Sequence, residues 1–255
     1  MSTLSSNIVK GGALIEDTAR FVEVWDESLG GEELLNRVVH DNVLGLPTQS
    51  RASAVATYVL RPRFVTPGPD VPVALRAILT DRAAFADACY YEATRADALL
   101  GRFAEEAIFD WHESGRLVVD VDLVESWLDG LAAAGDVAAW SPSLKRRVAQ
   151  GLVATLRDFG RLEGATKSPR KEITRPGIST GGFGYTAYRL HQQGDSSRGI
   201  LRSAVWRRWL LDEKRVDEMM NRLASLGVVF YSVAGSTLRI DWRVDSLVEV
   251  ARAAA

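Results

Sequence analysis

Apolar residues recur three and four positions apart along most of the chain, the spacing that gathers them on one face of a helix. After the break at Gly11-Gly12 come Leu14, Ala19, Phe21, Val22 and Trp25, with Glu16, Asp17 and Glu23 between them. Acidic residues in a first turn suit the positive end of a helix. Gly30-Gly31 closes this element, and 32–40 repeats the pattern through Leu34, Leu35, Val38 and Val39. Thr48 or Ser50 then caps a helix carrying Ala54, Val55, Tyr58 and Val59. That helix is expected to stop at Arg61, because Pro62 disfavours the helical region for the residue before it. The prolines at 67, 69 and 72 mark a break. Helices are predicted over 73–79, 82–91 (capped by Thr80 or Asp81) and 97–112. Val118-Val119 reads as a short extended piece, and Asp120 or Asp122 starts a helix through Leu123, Val124, Trp127, Leu128 and Leu131. Residues 1–140 therefore read as a bundle of six or seven helices joined by short loops.

Ser141-Pro142 is a strong helix start, a serine cap with proline at the first helical position. This helix runs through Leu144, Val148, Leu152, Val153 and Leu156, with Lys145, Arg146 and Arg147 on its expected open face. Residues 164–184 are rich in Gly, Ser, Thr, Pro and charge, and read as a long loop or irregular hairpin and the most mobile part of the chain. Beyond it, Ser196 or Ser197 precedes a helix with Ile200, Leu201, Val205, Trp206, Trp209 and Leu210, and Asp212 caps another that ends at Gly227. Two β-rich runs, 228–233 and 237–242, flank the turn Ala234-Gly235-Ser236, and a final helix takes Leu247, Val248 and Val250. Helix, turn, helix and hairpin is the order of a winged helix. The expected fold is thus mainly α: an acidic helical bundle over 1–140, then a basic region over 141–255 that ends in a winged-helix-like module.

The formal net charge of −2 hides a strong asymmetry. Residues 1–140 hold 11 Lys and Arg against 22 Asp and Glu, whereas 141–222 hold 17 against 8. Such a distribution points either to an electropositive surface or to two parts that attract each other.

Little in the chain resembles catalytic apparatus. His40, His112 and His191 are far apart, with no HExxH or CxxC to make a metal site. Gly181-Gly182-Phe183-Gly184 lacks the Gly-Lys-Ser/Thr of a phosphate loop and reads as a flexible turn. The single cysteine, Cys89, reads as a buried structural thiol and fits a reducing compartment. Glu106 and Asp110 share a helix face, which reads as solvated acidic surface. The expectation is a protein with no enzymatic activity, metal or cofactor. The N-terminus lacks the apolar run of a signal peptide and no stretch is long enough to span a membrane, which suggests a cytoplasmic protein.

The basic residues offer the better lead. Lys145, Arg146, Arg147, Lys167, Arg170, Lys171, Arg202, Arg207, Arg208, Lys214, Arg215 and Arg239 are the candidate DNA-binding set, expected to contact phosphates with little sequence preference. Arg207-Arg208 lies between Trp206 and Trp209, which at helical spacing face the core. Asp212, Glu213, Asp217 and Glu218 put negative charge beside the candidate recognition helix.

Several short segments in order resemble one family. Gly11-Gly12-Ala13-Leu14 with Trp25, Asn42 with Leu44, Thr48-Gln49-Ser50-Arg51, Arg61 and Arg63, the stretch from Ser143 to Leu156 ending in Phe159-Gly160-Arg161-Leu162, and the region from Trp206 to Gly227 are similar to segments of the BrxA proteins of BREX bacteriophage-exclusion systems. The resemblance spans about 9–250; the 164–184 stretch departs from shorter members. It implies a non-enzymatic accessory in phage defence that binds double-stranded DNA, with other BREX components such as the methyltransferase or ATPase as candidate partners. The alternative is a protein–protein scaffold of the defence complex, docking through its acidic helices and winged helix.

Overall fold

The computed structural model describes residues 4–235 and 237–254. It is mainly helical. A 3-10 turn, Asn7–Lys10, leads to α1 (Ile15–Glu23), α2 (Gly31–His40), α3 (Gln49–Val55), α4 (Asp70–Ala77) and α5 (Arg82–Ala96). Next come α6 (Ala98–Arg102) and α7 (Phe109–Glu113), joined by the π-helical stretch Phe103–Ile108 into one continuous rod. Strand β1 (Val118–Asp120) precedes α8 (Val121–Ala133) and α9 (Pro142–Asp158). β2 (Leu162–Glu163), β3 (Arg170–Ile173), α10 (Thr180–Gln192) and α11 (Ser197–Leu201) follow. The chain ends with a 3-10 segment, Ala204–Trp209, then α12 (Glu213–Ser225), the hairpin strands β4 (Val229–Ala234) and β5 (Thr237–Trp242), and α13 (Leu247–Ala254).

Side-chain caps set most helix starts. Thr48, Asp81, Asp97, Asp120, Ser141, Ser179, Ser196 and Asp212 each accept a backbone N–H from the turn that follows. Gly227, at φ +76°, ends α12 in the left-handed conformation that glycine takes without strain.

Two helices stand at the centre. In α5 every residue from Ala84 to Thr94 except Ala86 is buried, and in α10 the whole run from Gly181 to Leu190 is buried. Helices enclosed on all sides cannot leave charge unpaired. α5 nevertheless carries Asp87 and Glu92, both buried, and each is met by groups from beyond residue 160. Glu92 accepts from Arg189 Nε and the Tyr185 hydroxyl, each at 2.9 Å, and from Arg95 Nε at 2.6 Å. Asp87 accepts from the backbone N–H and hydroxyl of Ser179 at 2.8 and 2.7 Å, from Trp209 Nε1 at 3.0 Å and from Arg161 at 3.2 Å. Burial disfavours the Arg189 charge, yet the Glu92 carboxylate, with Tyr185 and Tyr91 adding to it, more than offsets this and holds its pKa above the ordinary guanidinium value. Burial lowers Arg63 to about 10; its guanidinium donates to the carbonyls of Gly12 and Ala13.

The remaining helices wrap this pair. α13 packs on α10 and reaches back to α4, and α9 lies along α8. Buried side chains from both halves of the chain form one hydrophobic cluster. β3 is the middle strand of a small antiparallel sheet, with β1 on one side and β2 on the other. β4 and β5 pair from Val229–Trp242 to Ala234–Thr237. Of the expected turn between them, Ser236 lies outside the described residues.

The structure departs from several expectations. The helix of α3 does not stop at Arg61 but continues as a π-helix, Ala56–Val65, with Pro62 inside it. The wider turn accommodates a proline ring that would clash in a regular α-helix, and Thr66 N–H closes the turn on the Arg61 carbonyl at 2.8 Å. Arg95 satisfies the Pro62 carbonyl at 2.9 Å. Pro72 belongs to the first turn of α4 rather than to the preceding break, and proline is tolerated there because first-turn N–H groups need no helical partner. α5 runs on to Ala96, where Asp97 ends it and caps α6. Residues 164–184 are not one loop: they supply β3 and the first turns of α10. The expected single helix over 200–210 is two pieces, because Ser203 caps a new 3-10 turn and Trp206 Nε1 donates to the Ile200 carbonyl at 2.6 Å.

Gly181-Gly182-Phe183-Gly184 is helical and buried rather than a flexible turn. A Cβ on Gly182 would overlap Asp87 Cβ, so the missing side chain is what lets α10 approach α5. Gly182→Ala is therefore expected to destabilise the protein by about 1–3 kcal/mol, read as a lower Tm. Glu92→Gln removes the charge that compensates Arg189 and should cost about 3–5 kcal/mol. Urea unfolding checks this, and a loss below about 1 kcal/mol would contradict the role given to the pair.

Candidate nucleic-acid interface

The twelve candidate cations fall into three places. On α9, Ser141 and Pro142 set the start, and Lys145, Arg146 and Arg147 occupy the next turns. The acidic face of α8 lies against two of them. Lys145 Nζ donates to both carboxylate oxygens of Asp129 at 2.7 and 2.8 Å, and Arg146 Nη1 lies 3.2 Å from both Asp122 and Glu125. Arg147 is exposed and makes no ion pair among the described residues.

The second place is the β2–β3 connection. Lys167 within it and Arg170, the first residue of β3, are exposed without ion-pair partners among the described residues. Lys171 is 3 % exposed; its ammonium donates to the Ala165 carbonyl at 2.8 Å and to the Ser168 carbonyl. It clamps the connection instead of facing solvent, because β3 alternates and turns this side chain inward. Lys167 and Arg170 share an open groove of about 690 Å³ with Arg146, lying between α9 and residues 166–171.

The third place is formed by the end of α11, the 3-10 segment, α12 and the hairpin. Trp206 and Trp209 face the core, as their spacing predicts. Arg207 is exposed, with its guanidinium 4.8 Å from the centre of the Phe109 ring. Arg208 points the other way, to Glu105 at 2.7 Å and the Thr94 hydroxyl at 2.7 Å, with its side chain only 10 % exposed. Arg202 and Arg207 line one hollow with the start of α12, and Arg202 lies 3.6 Å from Glu213. Lys214 and Arg215 are exposed in the first turn of α12, Lys214 3.8 Å from Glu218. Arg239 on β5 pairs with Asp241 at 2.6 Å.

The acidic residues around α12 have local roles. Asp212 caps the helix, and Asp217 accepts from the Tyr231 hydroxyl at 2.5 Å, which ties α12 to β4. Burial raises the Tyr231 pKa, and the Asp217 carboxylate raises it further. Burial also pushes the Cys89 thiol up, consistent with a structural role. Among the described residues no group of three His, Cys, Asp or Glu side chains is placed to hold a metal ion, and no helix is long and apolar enough to cross a membrane.

Composition overstated the free positive charge. Arg161, Arg189 and Arg208 are committed to buried or half-buried carboxylates of the front half, and Lys145 and Arg146 to carboxylates along α8. The Asp87 and Glu92 partners went unnoticed in the sequence, although acids set among Phe85, Ala88, Cys89 and Ala93 are a signal of burial.

A crystal structure of an uncharacterized protein from Magnetospirillum magneticum superposes with a TM-score of 0.58 at 17 % identity, covering 82 % of this chain and 100 % of that one. At that identity the likeness is one of fold alone. No protein with a curated description matches the chain. The BrxA family model matches residues 3–183, from the N-terminus into α10. Well over half the chain is thus accounted for by one family, and the protein belongs to the BrxA family, associated with BREX bacteriophage-exclusion systems.

Proposed function

We propose that this protein is a non-enzymatic, cytoplasmic accessory of a BREX system that binds double-stranded DNA through phosphate contacts. One observation carries the reading: Arg202 at the end of α11, Arg207 on the 3-10 segment, and Lys214 and Arg215 on α12 are all exposed along the stretch that leads into a β-hairpin. The order α10, α11, α12, β4, β5 supports a winged-helix reading of this region, with α12 as the helix offered to the duplex and the hairpin as the wing. Arg147, Lys167 and Arg170 extend the set of exposed cations beyond it. Binding of this kind releases counterions, so affinity falls steeply with salt and depends little on sequence.

The triple variant Arg207→Gln/Lys214→Gln/Arg215→Gln is expected to weaken duplex binding about tenfold or more, and to reduce the slope of log affinity against log salt by roughly 0.9 for each phosphate no longer neutralised. Fluorescence anisotropy with unrelated duplexes at several salt concentrations measures both. No binding at low salt, or binding indifferent to salt, would overturn the proposal.

A second reading, a protein–protein adaptor of the same defence complex, is favoured by exposed apolar side chains on the same region: Leu226, Phe230 and Val233. On that reading, Phe230→Ser/Val233→Ser abolishes co-purification with a BREX component, whereas the triple charge variant does not.

A further inference from the structure

We propose that the groove between α9 and residues 166–171 is a binding site for a nucleoside polyphosphate, away from the α12-centred surface that carries the duplex reading. Its volume of about 690 Å³ is that of a site for one small ligand. Lys167 and Arg170 stand on one wall as a pair of cations suited to phosphate oxygens, while Arg146, which lines the groove from α9, is already paired with Asp122 and Glu125. Lys167 and Arg170 have no internal carboxylate to displace among the described residues.

The wall is built in advance of any ligand. Lys171 reaches back to the carbonyls of Ala165 and Ser168, and the Ser168 hydroxyl donates to the Arg170 carbonyl at 2.9 Å. β3 is itself held between β1 and β2. A preformed wall lowers the ordering cost of binding.

The remaining lining separates a nucleotide from a nucleic-acid backbone. Ala154 and Pro169 offer an apolar surface for a base, and the exposed Gln150 carries both a donor and an acceptor for its edge. Asp122, with a side chain 82 % exposed, also lines the groove. A carboxylate there repels a continuous run of phosphates but accepts hydrogen bonds from the hydroxyls of a ribose.

The test uses the full chain and the fluorescent nucleotide mant-ATP at physiological ionic strength. Saturable binding, displaced by unlabelled ATP, is expected. Lys167→Gln/Arg170→Gln should weaken it about tenfold or more with the melting temperature unchanged, since both side chains are exposed and unpaired among the described residues. Adenosine and inorganic triphosphate should each compete at least about tenfold less well than ATP. The triple variant at Arg207, Lys214 and Arg215 should bind mant-ATP as the parent does, so failure of the duplex reading leaves this result intact. Absence of saturable binding, an unaffected Lys167/Arg170 variant, or inorganic triphosphate competing as well as ATP would overturn the proposal.

Discussion

Two carboxylates buried on α5 govern how this chain is put together. Asp87 and Glu92 sit in a helix enclosed by others, where an unpaired charge is prohibitive. Their partners include Arg161, Ser179, Tyr185, Arg189 and Trp209, all from the far half of the chain. The first half therefore cannot satisfy its own core without the second. Hydrophobic packing would allow α10 to slide or rotate against α5; hydrogen bonds of fixed geometry to two carboxylates, together with the close approach at Gly182, define one arrangement.

The same constraint redistributes the charge of the molecule. The chain is acidic in front and basic behind, and ion pairs across residue 140 join the two, among them Asp87–Arg161, Glu92–Arg189, Glu105–Arg208, Asp129–Lys145 and Arg146 with Asp122 and Glu125. The sequence allowed either mutual attraction or an outward-facing basic surface. The structure uses some cations for each. Those buried with carboxylates hold the fold, whereas exposed pairs such as Lys145–Asp129 contribute little to stability, about 0–1 kcal/mol. Of the candidate cations, Arg147, Lys167, Arg170, Arg207 and Arg215 are exposed with no ion pair among the described residues.

Those outward cations, Arg147 on α9 aside, occupy two different surfaces. Around the 3-10 segment and α12 they project from helices that lead into a hairpin. Around the β2–β3 connection they line a concavity that also has apolar and acidic lining. Membership in the BrxA family covers the front of the chain as far as α10, so the helices and hairpin beyond it lie outside the matched region.

Local chemistry determined a good part of this protein from sequence alone. Ser141-Pro142, Asp212 and Gly227 marked helix ends because caps and left-handed glycines act within a few residues, and apolar spacing turned Trp206 and Trp209 inward. The family, too, was legible in short segments taken in order. Only the tertiary structure decided which charges were available. Lys171 and Arg208 looked the same in sequence as Lys167 and Arg207, yet Lys171 is committed to backbone carbonyls and Arg208 to Glu105. Pro62 could remain inside a helix because Arg95, 33 positions on, satisfies its carbonyl. Such outcomes depend on which distant groups arrive beside a residue, and the energy of a buried charge or a freed carbonyl is set by those neighbours, not by the adjoining sequence.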